Sequence, residues 1–130
     1  MPLRLETEGR LGFLEIDCGK ANAMGSAELE EFSRLADDLE GGDLRGLVTW
    51  SQKRSKRGTA LFIAGADVTE RSDWSRDEVV SHVRGQRALL ARIRRLPLFH
   101  VAVVHGVALG WGTEVLLTCD YTIAGPDAVG

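Results

Sequence analysis

The chain predicts an α/β fold with largely parallel strand pairing, on two observations. Short apolar runs alternate with segments of helical spacing along its whole length. Several of those runs, Val101-Ala102-Val103-Val104 above all, are apolar at every position, which suits strands covered on both faces.

The elements follow in order. Leu3 to Thr7 and Leu11 to Asp17 alternate or run apolar around Glu8-Gly9-Arg10, whose glycine suits a tight turn, so a β-hairpin is expected. Ser26 can cap a helix whose apolar residues Leu29, Phe32, Leu35, Ala36 and Leu39 recur at helical spacing, and Gly41-Gly42 ends it. Leu44 to Ser51 reads as a buried strand, Gln52 to Gly58 as a charged loop and Ala60 to Ala64 as another short strand. Ser75 caps a long helix reaching about Leu96, where Pro97 stops it. Asp77 and Glu78 in its first turn and Arg92, Arg94 and Arg95 near its end complement the helix dipole, and Val79, Val83, Leu90 and Ile93 supply its apolar face. After the Val101–Val104 strand come a loop from Gly106 to Gly112, a helix over about Thr113 to Cys119 and a strand from Asp120 to Ala124. No internal repeat, linker or low-complexity segment is seen.

Composition narrows the function classes. The 130 residues, 44% of them hydrophobic, make one domain over 1–130 with enough apolar content for a core. With 16 Lys+Arg against 19 Asp+Glu the net charge is −3, so no bulk attraction to nucleic acid or anionic lipid is expected. The longest uncharged run, Leu96 to Thr113, holds histidines, a proline and glycines, which does not suit a membrane-spanning helix. Met1-Pro2-Leu3-Arg4 meets charge at once, so Met1 is expected to open the mature fold rather than a secretory signal. Cys18 and Cys119 lie far apart, outside any C-x-x-C or metal-ligand spacing, and reduced thiols in a cytoplasmic protein are expected. His82, His100 and His105 form no zinc-protease pattern, and no metal is expected.

Two glycine-bearing loops carry the chemistry: Ala64-Gly65-Ala66-Asp67, and Gly106 to Gly112 ahead of a helix. Glycine lets a ligand approach main-chain N–H groups, and a helix start offers unpaired donors. Gly110-Trp111-Gly112 has neither the spacing of a dinucleotide fingerprint nor the Lys-Ser/Thr of a phosphate loop. Tight turns needed for packing alone are the competing reading.

The combination decides between them. Ala60-Leu61-Phe62-Ile63-Ala64-Gly65-Ala66-Asp67-Val68, then a long helix, then Val101-Ala102-Val103-Val104-His105-Gly106-Val107-Ala108-Leu109-Gly110-Trp111-Gly112-Thr113-Glu114 and Cys119-Asp120, resembles the crotonase family, also called enoyl-CoA hydratase/isomerase. Lys20-Ala21-Asn22-Ala23-Met24 also looks like that family's segment ahead of its first helix. The resemblance spans nearly the whole chain.

It implies a crotonase-like spiral of ββα units, an acyl-CoA substrate and no cofactor, coenzyme A entering as the substrate thioester. It also implies assembly as homotrimers or pairs of trimers. The implied reaction is hydration of a 2-enoyl-CoA; isomerisation, decarboxylation or hydrolysis on the same fold, or acyl-CoA binding without catalysis, are the alternatives. The amides of Ala66 and Trp111 would donate to the thioester oxygen, where enolate charge grows. Glu114 would be one of two catalytic glutamates, tuned by partial burial and the helix dipole; the other falls in a segment beyond Gly130, as do the family's carboxy-terminal helices. Ala23, Ala64, Gly65, Asp67 and Gly110 would line the substrate site, and Lys20 would have a weak binding role. The family usually has glycine where Trp111 stands. Its ring is expected either beside the acyl pocket or in the core. The Lys53/Arg54/Lys56/Arg57 cluster is expected to be a solvated surface loop rather than a coenzyme phosphate site, Asp67 to cap the turn after it, and His105 to be structural.

Overall fold

The structure is a computed structural model and describes residues 3–19 and 21–130. Strands β1 (Leu3–Glu8) and β2 (Leu11–Ile16) form the expected hairpin, Leu3 opposite Ile16 and Glu8 opposite Leu11, with Gly9 at φ +60° in the turn. Helix α1 (Ser26–Gly41), β3 (Gly46–Trp50), β4 (Leu61–Ile63), a 3₁₀ turn (Thr69–Asp73) and α2 (Arg76–Arg94) follow. The chain then runs through β5 (Phe99–Val104), β6 (Val107–Ala108), α3 (Trp111–Thr118) and β7 (Tyr121–Ala124).

Five strands form one sheet in the order β1-β2-β3-β5-β7, parallel from β2 onward, while β4 and β6 pair in a second small sheet. The order hides a repeat that the sequence does not display. β3, β4 and α2 make one strand-strand-helix unit, and β5, β6 and α3 make the next. In the unit before them, β2 and α1 flank Met24, which bridges Ala66 in parallel; after β7, Val129 bridges Val107 the same way. The second strand of the unit shrinks to one residue at Met24 and to two at β6, too little to leave a period in the sequence.

Apolar spacing accounts for the core. Leu29, Phe32, Ala36 and Leu39 line one face of α1 and pack with Leu14, Ile16, Leu47, Ala102 and Val104 of the large sheet and Val115 of α3. Burial of each large apolar side chain contributes about 1.5–3 kcal/mol relative to exposure.

Two helices differ from expectation. Gly25, not Ser26, is the N-cap of α1, and it makes no side-chain cap. The carboxylate of Glu70 takes that place, accepting from Ser26 N–H at 2.9 Å and from the Ser26 hydroxyl at 3.1 Å. In α2, Ser75 and Glu78 form a full capping box as the sequence predicts. Its buried residues, however, are Gln86, Leu89 and Ile93, while Val83 is exposed and Val79 and Leu90 are half-buried. In the first turns of α2 Val80 and Val83 stay exposed, so the apolar spacing there is not matched by burial.

Candidate functional site

Two short strands hold the glycine loops side by side. β4 and β6 pair in parallel, and the N–H of Leu109, just past β6, donates to the O of Ile63, the last residue of β4, at 3.0 Å. The chain then turns through Gly65 (φ +118°) in one loop and Gly110 (φ +52°) in the other, conformations that favour glycine. A Cβ on Gly65 would stand 3.5 Å from Leu109 O, and one on Gly110 would stand 3.8 Å from Gly65 Cα. At Gly112 there is no room at all: a Cβ would collide with the Ile63 carbonyl oxygen and reach 2.8 Å from Ile63 Cβ. The start of α3 therefore presses directly on the end of β4.

Peptide geometry then decides which N–H groups stay unused. Met24 N–H donates to Gly65 O at 2.9 Å, and Asp67 N–H donates to Met24 O at 3.0 Å. A trans peptide points its C=O and N–H in opposite directions, so the Ala66 N–H, which shares a peptide with Gly65 C=O, turns away from Met24. β6 and the loop after it lie on that side of β4. Trp111 opens α3, where the first N–H groups have no partner within the helix. Among the described residues, neither the Ala66 nor the Trp111 N–H donates to a backbone carbonyl.

A family model described as enoyl-CoA hydratase/isomerase matches residues 18–129. The chain belongs to the enoyl-CoA hydratase/isomerase family. It is 33% identical over 129 residues to a probable enoyl-CoA hydratase of Bacillus subtilis, covering 97% of this chain and 47% of that protein. Over 128 residues it is 41% identical to the mitochondrial methylglutaconyl-CoA hydratase of Homo sapiens, covering 95% of this chain and 36% of the relative. The crystal structure of an enoyl-CoA hydratase from Bacillus anthracis superposes with a TM-score of 0.87 at 26% identity, over 98% of this chain and 49% of that one. The chain thus spans less than half the length of these relatives.

Against the residues expected of this family, the structure joins some and separates others. Ala64, Gly65 and Ala66 share one loop with Asp67, and Ala23 lies beside it, because Ala64 N–H donates to Ala21 O at 3.1 Å and Met24 bridges Ala66. Lys20 lies outside the described residues. Asp67 serves its own turn: its Oδ1 accepts from the Thr69 N–H at 3.1 Å and the Thr69 hydroxyl at 2.6 Å, which holds its carboxyl below the usual carboxylate range. The ring of Trp111 goes into the core, 4% exposed, edge-on to Phe32 with ring centres 5.9 Å apart. Gly110 is exposed, as an approachable backbone requires.

Glu114 is exposed on the first turn of α3, in a groove of about 300 Å³ between α2 and α3 that Arg87, Leu90, Arg94 and Leu117 also line. The expected partial burial of Glu114 is not found. Val115 is buried and Leu116 half-buried, and at the helical repeat of 100° per residue position 114 falls outside that stripe.

Asn22 holds the site together, a role the sequence did not reveal. It is fully buried at φ +51°. Its Oδ1 accepts from Cys18 N–H at 2.7 Å, and its Nδ2 donates to Ser51 Oγ at 2.8 Å and Phe62 O at 2.6 Å. One amide thus ties the segment before α1 to β4 and to the residue after β3. An Asn amid small residues ahead of a helix was the available signal, since Asn is among the few side chains that adopt positive φ readily.

The charged loop behaves as a surface loop. Lys53 pairs with Asp17, Arg54 donates to Gly58 O at 2.8 Å, and Lys56 and Arg57 are exposed. His105 is exposed, its Nδ1 3.8 Å from Asp127 Oδ1. His100 is buried: its Nε2 meets Thr49 Oγ1 at 2.7 Å, and burial pulls its pKa down to about 4 despite the nearby Asp120 carboxylate. Burial also pushes the Cys18 and Cys119 thiols up to about 12, so neither is a ready nucleophile. Among the described residues no group of three or more His, Cys, Asp or Glu could hold a metal ion, and no helix is long and apolar enough to cross a membrane.

Proposed function

We propose that the protein acts on acyl-CoA thioesters and hydrates a 2-enoyl-CoA, with the Ala66 and Trp111 amides as the donors to the thioester oxygen and Glu114 as acid/base. The observation that carries this reading is the pair of loops, adjoining at Gly65 and Gly110, in which the N–H of the next residue is unused on both sides. Two fixed donors held by strand pairing lose little on reorganising when charge appears, and each such donor is worth about 2.7–4 kcal/mol in comparable sites.

In this mechanism the enoyl thioester accepts both hydrogen bonds through its carbonyl oxygen. Water adds its oxygen at the β-carbon while Glu114 takes the departing proton, and electron density moves through the double bond onto the thioester oxygen. The enolate then collapses as the α-carbon takes that proton from Glu114, which returns to its carboxylate, so that the net change is the addition of one water. No separate cofactor is called on, because coenzyme A arrives as part of the substrate. A cytoplasmic setting and a trimeric assembly belong to the same reading.

Family membership and the names of the three relatives, each a hydratase of a CoA ester by its name, support hydration. The test is kinetic. In the intact protein Glu114→Gln is expected to slow hydration of crotonyl-CoA by at least about 10²-fold, followed as loss of enoyl-thioester absorbance. A rate within a few-fold of wild type would remove Glu114 from the mechanism.

A further inference from the structure

Among the described residues, the buried side-chain nitrogens and oxygens without a hydrogen-bond partner are Arg71 Nε and Nη2, His82 Nε2, Gln86 Nε2 and Trp111 Nε1. All are nitrogens. Those of Arg71, Gln86 and Trp111 can only donate. A buried donor left unpaired is costly, and a charged one more so. Around Arg71 and His82 the unpaired buried atoms are nitrogens, and since two of them belong to a guanidinium, the complement is an oxygen-bearing anion.

Arg71 and His82 define the place. Arg71 sits in the 3₁₀ turn that directly follows the Ala64–Asp67 loop. The neighbouring Glu70 carboxylate is turned to the start of α1, where it accepts from the Ser26 N–H and hydroxyl. Trp74 N–H closes the turn on Arg71 O at 3.0 Å, and the Trp74 ring meets the His82 ring edge-on with centres 5.0 Å apart, which sets the turn against α2. Burial first, and then the charge of Arg71, hold His82 below its ordinary pKa. Gln86 lies one helical turn beyond His82 on the same face. Among the described residues, no ion pair reaches the Arg71 guanidinium.

We propose that Arg71, with His82 beside it, receives a carboxylate borne on the acyl chain, so that the protein selects acyl-CoA thioesters whose acyl group carries a second negative charge. This rests on the reading of Ala66 and Trp111 as the thioester site, since the turn that carries Arg71 leaves that loop at Asp67. Arginine suits the task because its planar fork matches a carboxylate in a bidentate way. A phosphate of the coenzyme would present the same chemistry, and the test separates the two.

The intact protein is assayed with two five-carbon substrates, 4-carboxybut-2-enoyl-CoA and pent-2-enoyl-CoA, which differ in the terminal charge and share the coenzyme. Wild type is expected to favour the carboxylated substrate by about 10- to 100-fold in kcat/KM, expressed mainly in KM. Arg71→Met is expected to erase that ratio and Arg71→Lys to restore part of it. A ratio near one in wild type, or one that survives in Arg71→Met, overturns the proposal. Equal weakening of both substrates assigns Arg71 to the coenzyme phosphates and overturns it as well. Calorimetry with glutaryl-CoA and pentanoyl-CoA reads the same preference without turnover. A protein that shows the binding preference but hydrates neither enoyl thioester refutes the catalytic reading and leaves the anion subsite standing.

Discussion

β4 and β7 are both short strands with large apolar side chains, yet they meet opposite fates. Leu61, Phe62 and Ile63 of β4 are all buried, Ile63 completely, whereas Tyr121 and Ile123 of β7 are 60% and 50% exposed. β4 has the Met24 segment on one edge, β6 on the other and the start of α3 pressed onto its end. Among the described residues, β7 is the last strand of its sheet and pairs only with β5. Neighbours on several sides, rather than apolar content, decide burial, and the candidate site has formed where those neighbours crowd closest.

The sharpest way to break this contrast is to wedge β4 from β6. Gly106 stands at φ +74°, and a Cβ there would overlap the Ala60 carbonyl and lie 2.8 Å from Ala60 Cβ. Gly106→Ala is expected to cost about 4 kcal/mol or more, read as a large drop in the urea midpoint, because a collision with backbone cannot be relieved by a rotamer change. An effect under about 1 kcal/mol would show that β4 and β6 part easily and that the loops are not held by strand pairing.

His100, in β5 between the two regions, gives a pH-dependent test. Its pKa is about 4 in the folded chain against an ordinary 6.5, so the unfolded state binds its proton first as the pH falls. Stability from this group is complete above pH 6.5 and lost between 6.5 and about 4, by roughly 3 kcal/mol in all. Urea unfolding across that range should therefore slope more steeply for wild type than for His100→Gln. Parallel slopes would mean that His100 is not buried as a neutral ring.

The smallest effect belongs to β7. Ile123→Thr keeps the branched strand-forming shape at a half-exposed position and should change stability by no more than about 0.5 kcal/mol. A loss of 2 kcal/mol or more would show that this edge is covered in the protein as it exists in solution.

Much of the architecture was legible because it is written in near neighbours. The hairpin follows from Gly9 between two alternating runs, and the start of α2 follows from Ser75 and Glu78 at capping-box spacing. The loops were legible as well, since glycines at 65, 110 and 112 stand next to strand and helix signals. The repeat of strand-strand-helix units was not, because its second strands are too short to imprint a period. Nor was the cap on α1, where a carboxylate from Glu70 does what local spacing assigned to Ser26. The burial of α2 also departs from its own pattern, since Gln86 is buried and Val83 is not.

By itself the sequence determined which segments become strands and helices, which backbone positions can turn through positive φ, and which family the pattern resembles. These depend on steric and capping preferences that act within a few residues. Only the tertiary structure decided that Gly65 meets Gly110, that the Ala66 N–H faces away from Met24, that the Trp111 ring turns inward against Phe32, and that Nε and Nη2 of the half-buried Arg71 have no acceptor. Each of those joins or isolates groups distant in the chain, and their positions follow from how strands and helices stack, which no local preference encodes.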